Sequence, residues 1–289
     1  MSDAAENRTP RRRVWPAAVG VGVLALAGVG LWWALHAPPP ATVPAPASAE
    51  PPKVRPNIPS GAMATIPGGT VRTGSDNGDA DEKPITERAV ASFEIDVLEV
   101  TVAELEACVQ GGKCTEPVRA EGKCNWGRPD RRDHPVNCVD HAQAEAYCAS
   151  LGKRLPTETE WEMAARGTAG RTYPWGNEAP AAQLCWNGPG NDVGRGKRDT
   201  TCVVGTHPGG MTAEGVHDLA GNVWEWTSSR YCPYETVTCG DERAVFRGGG
   251  FNNSAPGYVR GADRTKDKPT VRNDNLGFRC ARSGPPAPG

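Results

Sequence analysis

Cysteine has the widest chemical repertoire of any side chain in this sequence: it ligates metals, exchanges disulfides, attacks electrophiles and crosslinks. The chain has ten, Cys108, Cys114, Cys124, Cys138, Cys148, Cys185, Cys202, Cys232, Cys239 and Cys280. No two stand in a C-x-x-C pair, which excludes a zinc ribbon and a thioredoxin-type redox site. An even, scattered set in a chain with 35 glycines fits disulfides made in an oxidising compartment. The competing reading is ten buried thiols packed as small hydrophobes. Cys108 with Cys114 across Gly111-Gly112, and Cys232 with Cys239 around Pro233, are near enough to close short loops, while connectivity in general does not follow from sequence.

Other reactive side chains carry less. Asp76-Asn-Gly-Asp-Ala-Asp-Glu82 resembles an acidic calcium loop, but its carboxylates fall outside the EF-hand register, so a solvated acidic loop is expected. The histidines His36, His134, His141, His207 and His217 form neither H-E-x-x-H nor an i, i+4 pair, so no ligand set for zinc or non-heme iron is visible. Neither G-x-S-x-G nor a P-loop occurs, leaving acyl and phosphoryl transfer without a motif. Arg247, Arg260, Arg264, Arg272 and Arg279 crowd the C-terminal part of the chain. They read either as structural ion pairs or as the lining of a groove for a carboxylate or peptide. The formal net charge of -2 offers no field for nucleic acid.

The elements that must position these residues are short. Gly and Pro number 35 and 27 among 289 residues, which excludes a long helical bundle. Thr101-Val-Ala-Glu104 and Thr157-Glu-Thr-Glu160 are capping boxes that place helix starts at the threonines. A third helix is expected from Asp140 to a stop at Gly152. Elsewhere apolar pairs alternate with Gly, Pro, Asn and Asp, the pattern of short strands and irregular loops. The expectation is an α+β domain over residues 63–282, closed by a disordered Pro/Gly tail over 283–289.

The N-terminal part has a different character. Residues 14–35 are an uncharged apolar run, long enough to cross a bilayer as a helix. Arg11, Arg12 and Arg13 precede it and would hold residues 1–13 in the cytoplasm. We therefore expect an anchor over 14–36 and a single-pass membrane protein, with its main domain on the periplasmic or lumenal side. A cleaved signal peptide is the alternative, but Ala47-Ser48-Ala49 lies far behind the apolar run for a cleavage site. Residues 37–62 hold nine prolines, from Pro38 to Pro59, and read as an extended spacer.

Four segments in order carry a family resemblance: Thr65-Ile-Pro-Gly-Gly69 with Gly74-Ser75; Gly152-Lys-Arg-Leu-Pro-Thr-Glu158 with Glu160-Trp-Glu162; Asp218-Leu-Ala-Gly-Asn-Val-Trp-Glu-Trp226; and Arg247-Gly-Gly-Gly250 with Leu276-Gly-Phe-Arg-Cys280. Together they resemble the sulfatase-modifying factor family of formylglycine-generating enzymes. The resemblance implies a variant of the C-type lectin-like fold, and an oxidase that converts a substrate cysteine to formylglycine with dioxygen and copper held by two cysteines. Soft thiolates select Cu(I). At the family's two cysteine positions this chain has Asn253 and Tyr258, and Gly250 replaces the serine that closes the family's turn. No cysteine at all lies between Cys239 and Cys280, so the resemblance implies a member without copper.

It further implies a disulfide between Cys148 and Cys280. It also implies a calcium loop whose ligands are the side chains of Asp218 and Glu225 and the carbonyls of Gly221 and Val223. The family's second calcium site, near Asn187, is shortened and altered here. The expected function is that of a non-copper binding or accessory module, taking a peptide, protein or glycan in a cleft beside Trp224 and Asn253. Alternatives are an oxidase acting on a protein cysteine or small molecule through an altered site, or a purely structural lectin-like module of the envelope.

Overall fold

The computed structural model describes residues 53–117, 122–236 and 239–284. The expected cytoplasmic segment, the anchor, residues 37–52 of the spacer and residues 285–289 of the tail lie outside the described residues, while Ser283, expected in the tail, is the last residue of a strand and pairs with Phe93. Among the described residues no helix is long and apolar enough to cross a membrane.

Each helix begins where its local chemistry directs. α1 (Val102–Gln110) and α3 (Glu158–Arg166) are capped by Thr101 and Thr157, and α2 (His141–Ser150) by Asp140. In α1 the Glu104 amide donates to Thr101 Oγ1 at 3.3 Å, while Glu104 Oε2 accepts from the Thr101 amide at 2.8 Å. Such caps stabilise a helix by roughly 0.5–2 kcal/mol each. α2 stops at Leu151 before Gly152, whose φ of +68° a side chain would oppose.

Among the described residues nine short strands make three sheets: β1 (Met63–Ile66), β2 (Gly69–Thr73), β3 (Thr86–Val90), β4 (Phe93–Asp96), β5 (Trp224–Arg230), β6 (Ala244–Arg247), β7 (Arg264–Asp267), β8 (Leu276–Gly277) and β9 (Ala281–Ser283). The orders are β1-β4-β9, the hairpin β2-β3, and β7-β6-β5-β8, antiparallel except for β5 with β8. One core gathers Leu105, Tyr147, Leu155, Trp226, Phe246 and Phe278 under α1 and α2; another gathers Phe93, Ile95, Trp161, Met163 and Leu219 around α3. Trp161 and Trp226 are fully buried, their indole N–H groups donating to Glu225 Oε2 at 2.7 Å and the Val139 carbonyl at 3.1 Å.

All ten cysteines are paired: 108–114, 124–138, 148–280, 185–202 and 232–239. Cys148–Cys280 closes the longest loop and ties α2 to the approach to β9, with its Cα atoms 5.6 Å apart. The spacer, expected to run to residue 62, ends earlier. Lys53 pairs with Asp192, Arg55 lies 3.5 Å from Glu104, and the Gly61 carbonyl accepts from Lys153 Nζ at 3.2 Å. Prolines set a local backbone, but they do not prevent charged neighbours from finding partners on the domain.

Candidate functional site

The turn after β6 forms the site where the family resemblance places its chemistry. Gly248 and Gly249 have φ of +104° and +77°. A Cβ on Gly249 would come within 2.6 Å of the Tyr258 carbonyl oxygen, so glycine is required twice over. A Cβ on Gly250 would meet Asn275 Cβ at 3.0 Å and Asn252 Oδ1 at 3.2 Å. Asn275 Nδ2 itself donates to Asn252 Oδ1 at 3.0 Å. This amide pair takes up the room beside the position where the family has serine.

Asn253 folds back on the same turn. Its Oδ1 accepts from the Gly250 amide at 2.7 Å, its own amide donates to the Gly250 carbonyl at 3.0 Å, and its carbonyl accepts from the Asn187 amide at 2.9 Å. Tyr258 stands on the 3-10 turn Pro256–Val259 with 49% of its surface exposed. The turn therefore presents amides and a phenol, hard donors unlike the thiolates that hold Cu(I). The sulfur beside Phe251 is the Cys185–Cys202 disulfide, which packs with that ring in a small core. Trp224 requires a correction. It does not border an open cleft but is buried, edge-on to Phe246 at 5.7 Å, because β5 lies between β6 and β8 and turns this side chain into the core.

The Asp218–Glu225 loop is held from inside. Asp218 and Asn222 adopt left-handed φ of 59° and 57°, which Asp and Asn tolerate better than most residues. Asp218 Oδ2 accepts one bond, from the Gly205 amide at 2.6 Å. Glu225 accepts from Trp161 and twice from Arg279. Glu99, which sequence reading passed over, completes the group. Fully buried, it accepts from Asn222 Nδ2 at 2.5 Å and the Val223 amide at 3.2 Å. Burial, aided by the other carboxylates, pushes both Glu99 and Asp218 above the usual carboxylate range.

A carboxylate offers about four acceptor positions, so Asp218 and Glu99 keep capacity to spare. Three buried acids face the single guanidinium of Arg279. The donor set is oxygen-only and carries an excess of negative charge, but both Glu225 oxygens are engaged by Trp161 and Arg279, and among the described residues the acids whose ligand oxygens lie within 4.8 Å of one another are Asp79, Glu82 and Asp263.

The arginines are paired with acids. Arg247 Nη2 donates to Glu158, Glu162 and the Tyr234 hydroxyl, each at 2.8 Å, and Arg264 grips Glu158 at 2.7 Å through two nitrogens. Arg260 grips Glu82 at 2.7 and 2.6 Å, and Arg272 pairs with Asp140. The acidic loop expected to be solvated is therefore not so at Glu82, which is fully buried. Glu82 meets Asp79 and Asp263, with ligand oxygens within 4.8 Å of one another. Burial, then the Glu82 charge, pushes Asp263 up to about 7. Asp79 and Glu82 stand in the acidic loop that the sequence shows, and only Asp263, far along the chain, left no sequence signal.

The family described as "Sulfatase-modifying factor enzyme 1-like domain" matches residues 48–284. The "Inactive C-alpha-formylglycine-generating enzyme 2" of Mus musculus is 33% identical over 270 residues, covering 77% of this chain and 86% of its own length. The "Formylglycine-generating enzyme" of Bos taurus is 32% identical over 296 residues, covering 81% and 78%. Among solved structures, PvdO from Pseudomonas aeruginosa is similar with a TM-score of 0.63 at 28% identity, covering 77% of this chain and 94% of that one. The mixed α/β fold with few helices is thus shared with proteins of this family.

Proposed function

This chain belongs to the sulfatase-modifying factor family, and from that premise we propose that it is a membrane-anchored, extracytoplasmic binding or accessory module without copper chemistry. One observation carries the reading. The family turn holds Gly250, Asn253 and Tyr258, and each of the ten cysteines is committed to a disulfide. Relatives named as inactive and as active match at nearly equal identity, so the reading rests on the residues of the turn.

The ligand is a peptide, protein or glycan, met at the face formed by Asn252, Asn253, Asn275 and Tyr258. Amides and a half-exposed phenol suit polar ligands with a flat face. Five disulfides support an oxidising compartment, and the apolar run at 14–35 supports the anchor. Calcium is the cation proposed for the Asp218 loop. Asp218 and Glu225 with the carbonyls of Gly221 and Val223 would hold it beside Glu99, where it would neutralise buried charge and stiffen the loop. Nucleic acid is not part of the proposal, given a net charge of -2.

The test is metal analysis of the purified full-length protein together with oxygen uptake on cysteine-containing peptides. We expect no stoichiometric copper and no thiol-dependent oxygen consumption. Finding both would replace this reading with an oxidase that uses an altered site.

A further inference from the structure

We infer that the face carrying Val54, Val193, Arg195 and Lys197 lies on the membrane and takes anionic phospholipid headgroups there. The inference rests on the anchor proposed above and adds the surface that meets the lipid. Lys53, the first of the described residues, marks the place. It pairs with one oxygen of Asp192, whose other oxygen pairs with Arg198, and His207 Nε2 stands 3.4 Å from the same carboxylate. The segment that follows is held down along its length. Pro56 packs on Gly205, where a Cβ would come within 2.7 Å of the proline ring, and the Ala62 carbonyl accepts from the Val97 amide at 2.9 Å. The point at which the spacer reaches the domain is therefore fixed. Residues 37–52 can span no more than about 55 Å, so Lys53 stays within that reach of the anchor's end.

The loop beside that point presents charge outward. Asn187 closes it, its Oδ1 accepting from the Arg198 amide at 2.9 Å and its carbonyl from the Gly196 amide at 3.2 Å. Gly194 and Gly196, with φ of +92° and +75°, turn the chain between Val193 and Arg198. Arg195 and Lys197 come out exposed, and among the described residues neither side chain has an ion pair or a hydrogen bond. The five C-terminal arginines are all paired with acids; these two cations are not.

Val54 and Val193 directly follow the two partners of the Lys53–Asp192 pair in sequence and are 83% and 44% exposed. They are two of the five large hydrophobic side chains left exposed among the described residues. Around them Lys53, Arg195, Lys197 and Arg198 outnumber Asp192 and Asp199 by four to two. Apolar side chains flanked by an excess of cations match a lipid surface that is anionic at the headgroups and apolar beneath. An acidic peptide would meet the cations but leave the valines in water. Two excess charges attract a free protein only weakly. The anchor, however, holds this face at a high effective concentration of lipid, so a weak attraction is enough to lay it down.

The experiment places the full-length chain in nanodiscs of phosphatidylcholine, with or without phosphatidylglycerol. Acetylation of Lys197 is followed by peptide mass spectrometry, with exposed Lys113 as the internal control. Phosphatidylglycerol should slow Lys197 about tenfold and leave Lys113 unchanged. Arg195→Glu, Val193→Asp or molar salt should each remove most of that protection, and both variants should melt as the wild type does. Equal Lys197 rates in the two discs, with the chain co-eluting with both, overturn the inference and leave the anchor standing. A chain that elutes apart from the discs removes the anchor and the inference with it. Protection that persists in both variants overturns the inference too. Stronger protection of Lys197 by a hexaglutamate peptide in phosphatidylcholine discs than by phosphatidylglycerol assigns the loop to an acidic partner and overturns it as well.

Discussion

Arg279 clasps Glu225 through two parallel hydrogen bonds, Nε to Oε2 at 2.8 Å and Nη2 to Oε1 at 2.7 Å, with the guanidinium fully buried and the carboxylate all but fully so. The same guanidinium donates to the carbonyls of Asp96 at 2.9 Å and His217 at 2.8 Å. One side chain thereby joins β5, the end of β4 and the segment leading into the Asp218 loop. It is also the cation that makes three neighbouring buried acids tolerable.

Arg279→Met should therefore cost about 3–5 kcal/mol, the usual effect of leaving a buried charge uncompensated. Arg279→Lys should recover little, because an ammonium cannot reproduce the paired geometry. Denaturant unfolding checks both. Arg282→Ala removes a surface pair with Glu94 and should leave the midpoint unmoved.

Replacing Cys148 and Cys280 together by alanine should destabilise the domain by about 2–5 kcal/mol. The bridge spans 132 residues, so most of the domain lies inside its loop. Thermal melting of the double variant under oxidising conditions measures the loss. A melting temperature equal to that of the wild type would show that the bridge is dispensable.

Acid–base behaviour should carry two opposite signatures. Asp263 is pushed up to about 7 by burial and by Glu82, so between pH 4 and 7 the folded state holds a proton that the unfolded state releases. Its contribution to stability is present below about pH 4 and lost as pH rises through 7. Asp263→Asn should remove that loss, gaining on the wild type between pH 5 and 8. His134 is held down to about 4 by burial and by Arg131. Its contribution is complete above pH 6.5 and lost as pH falls towards 4. Unfolding curves at half-unit pH intervals resolve the two.

Calcium at the Asp218 loop makes a thermal prediction. A chelator should lower the melting temperature of the wild type, and Asp218→Ala should abolish the difference. A wild-type melt indifferent to chelator would show that the loop is held without calcium, by Arg279 and its hydrogen bonds.

The orientation proposed for the anchor is tested by a reporter fused after Gly289. We expect activity of an alkaline phosphatase fusion, which needs an oxidising compartment, and silence of a fluorescent protein that matures only in the cytoplasm. The reverse result would remove both the topology and the compartment argument.

Much of the fold was legible where the forces are local. Thr101, Asp140 and Thr157 begin helices because a cap needs only residues three apart. The short pairings Cys108–Cys114 and Cys232–Cys239 were suggested by proximity, and the structure forms both. The partner of Arg260 was not legible, since Glu82 lies 178 residues away. Nor was the burial of Trp224, which depends on the strand order of its sheet.

By itself the sequence determined which side chains the turn after β6 can offer. A missing thiol is missing in every conformation, so Asn253 and Tyr258 stand at the family's two cysteine positions whatever the fold. Only the tertiary structure decided where the remaining charges go. It paired five crowded arginines with acids and placed Glu99 against the Asp218 loop. These outcomes depend on contacts between distant parts of the chain and on the low dielectric they create, neither of which is written in the order of neighbouring residues.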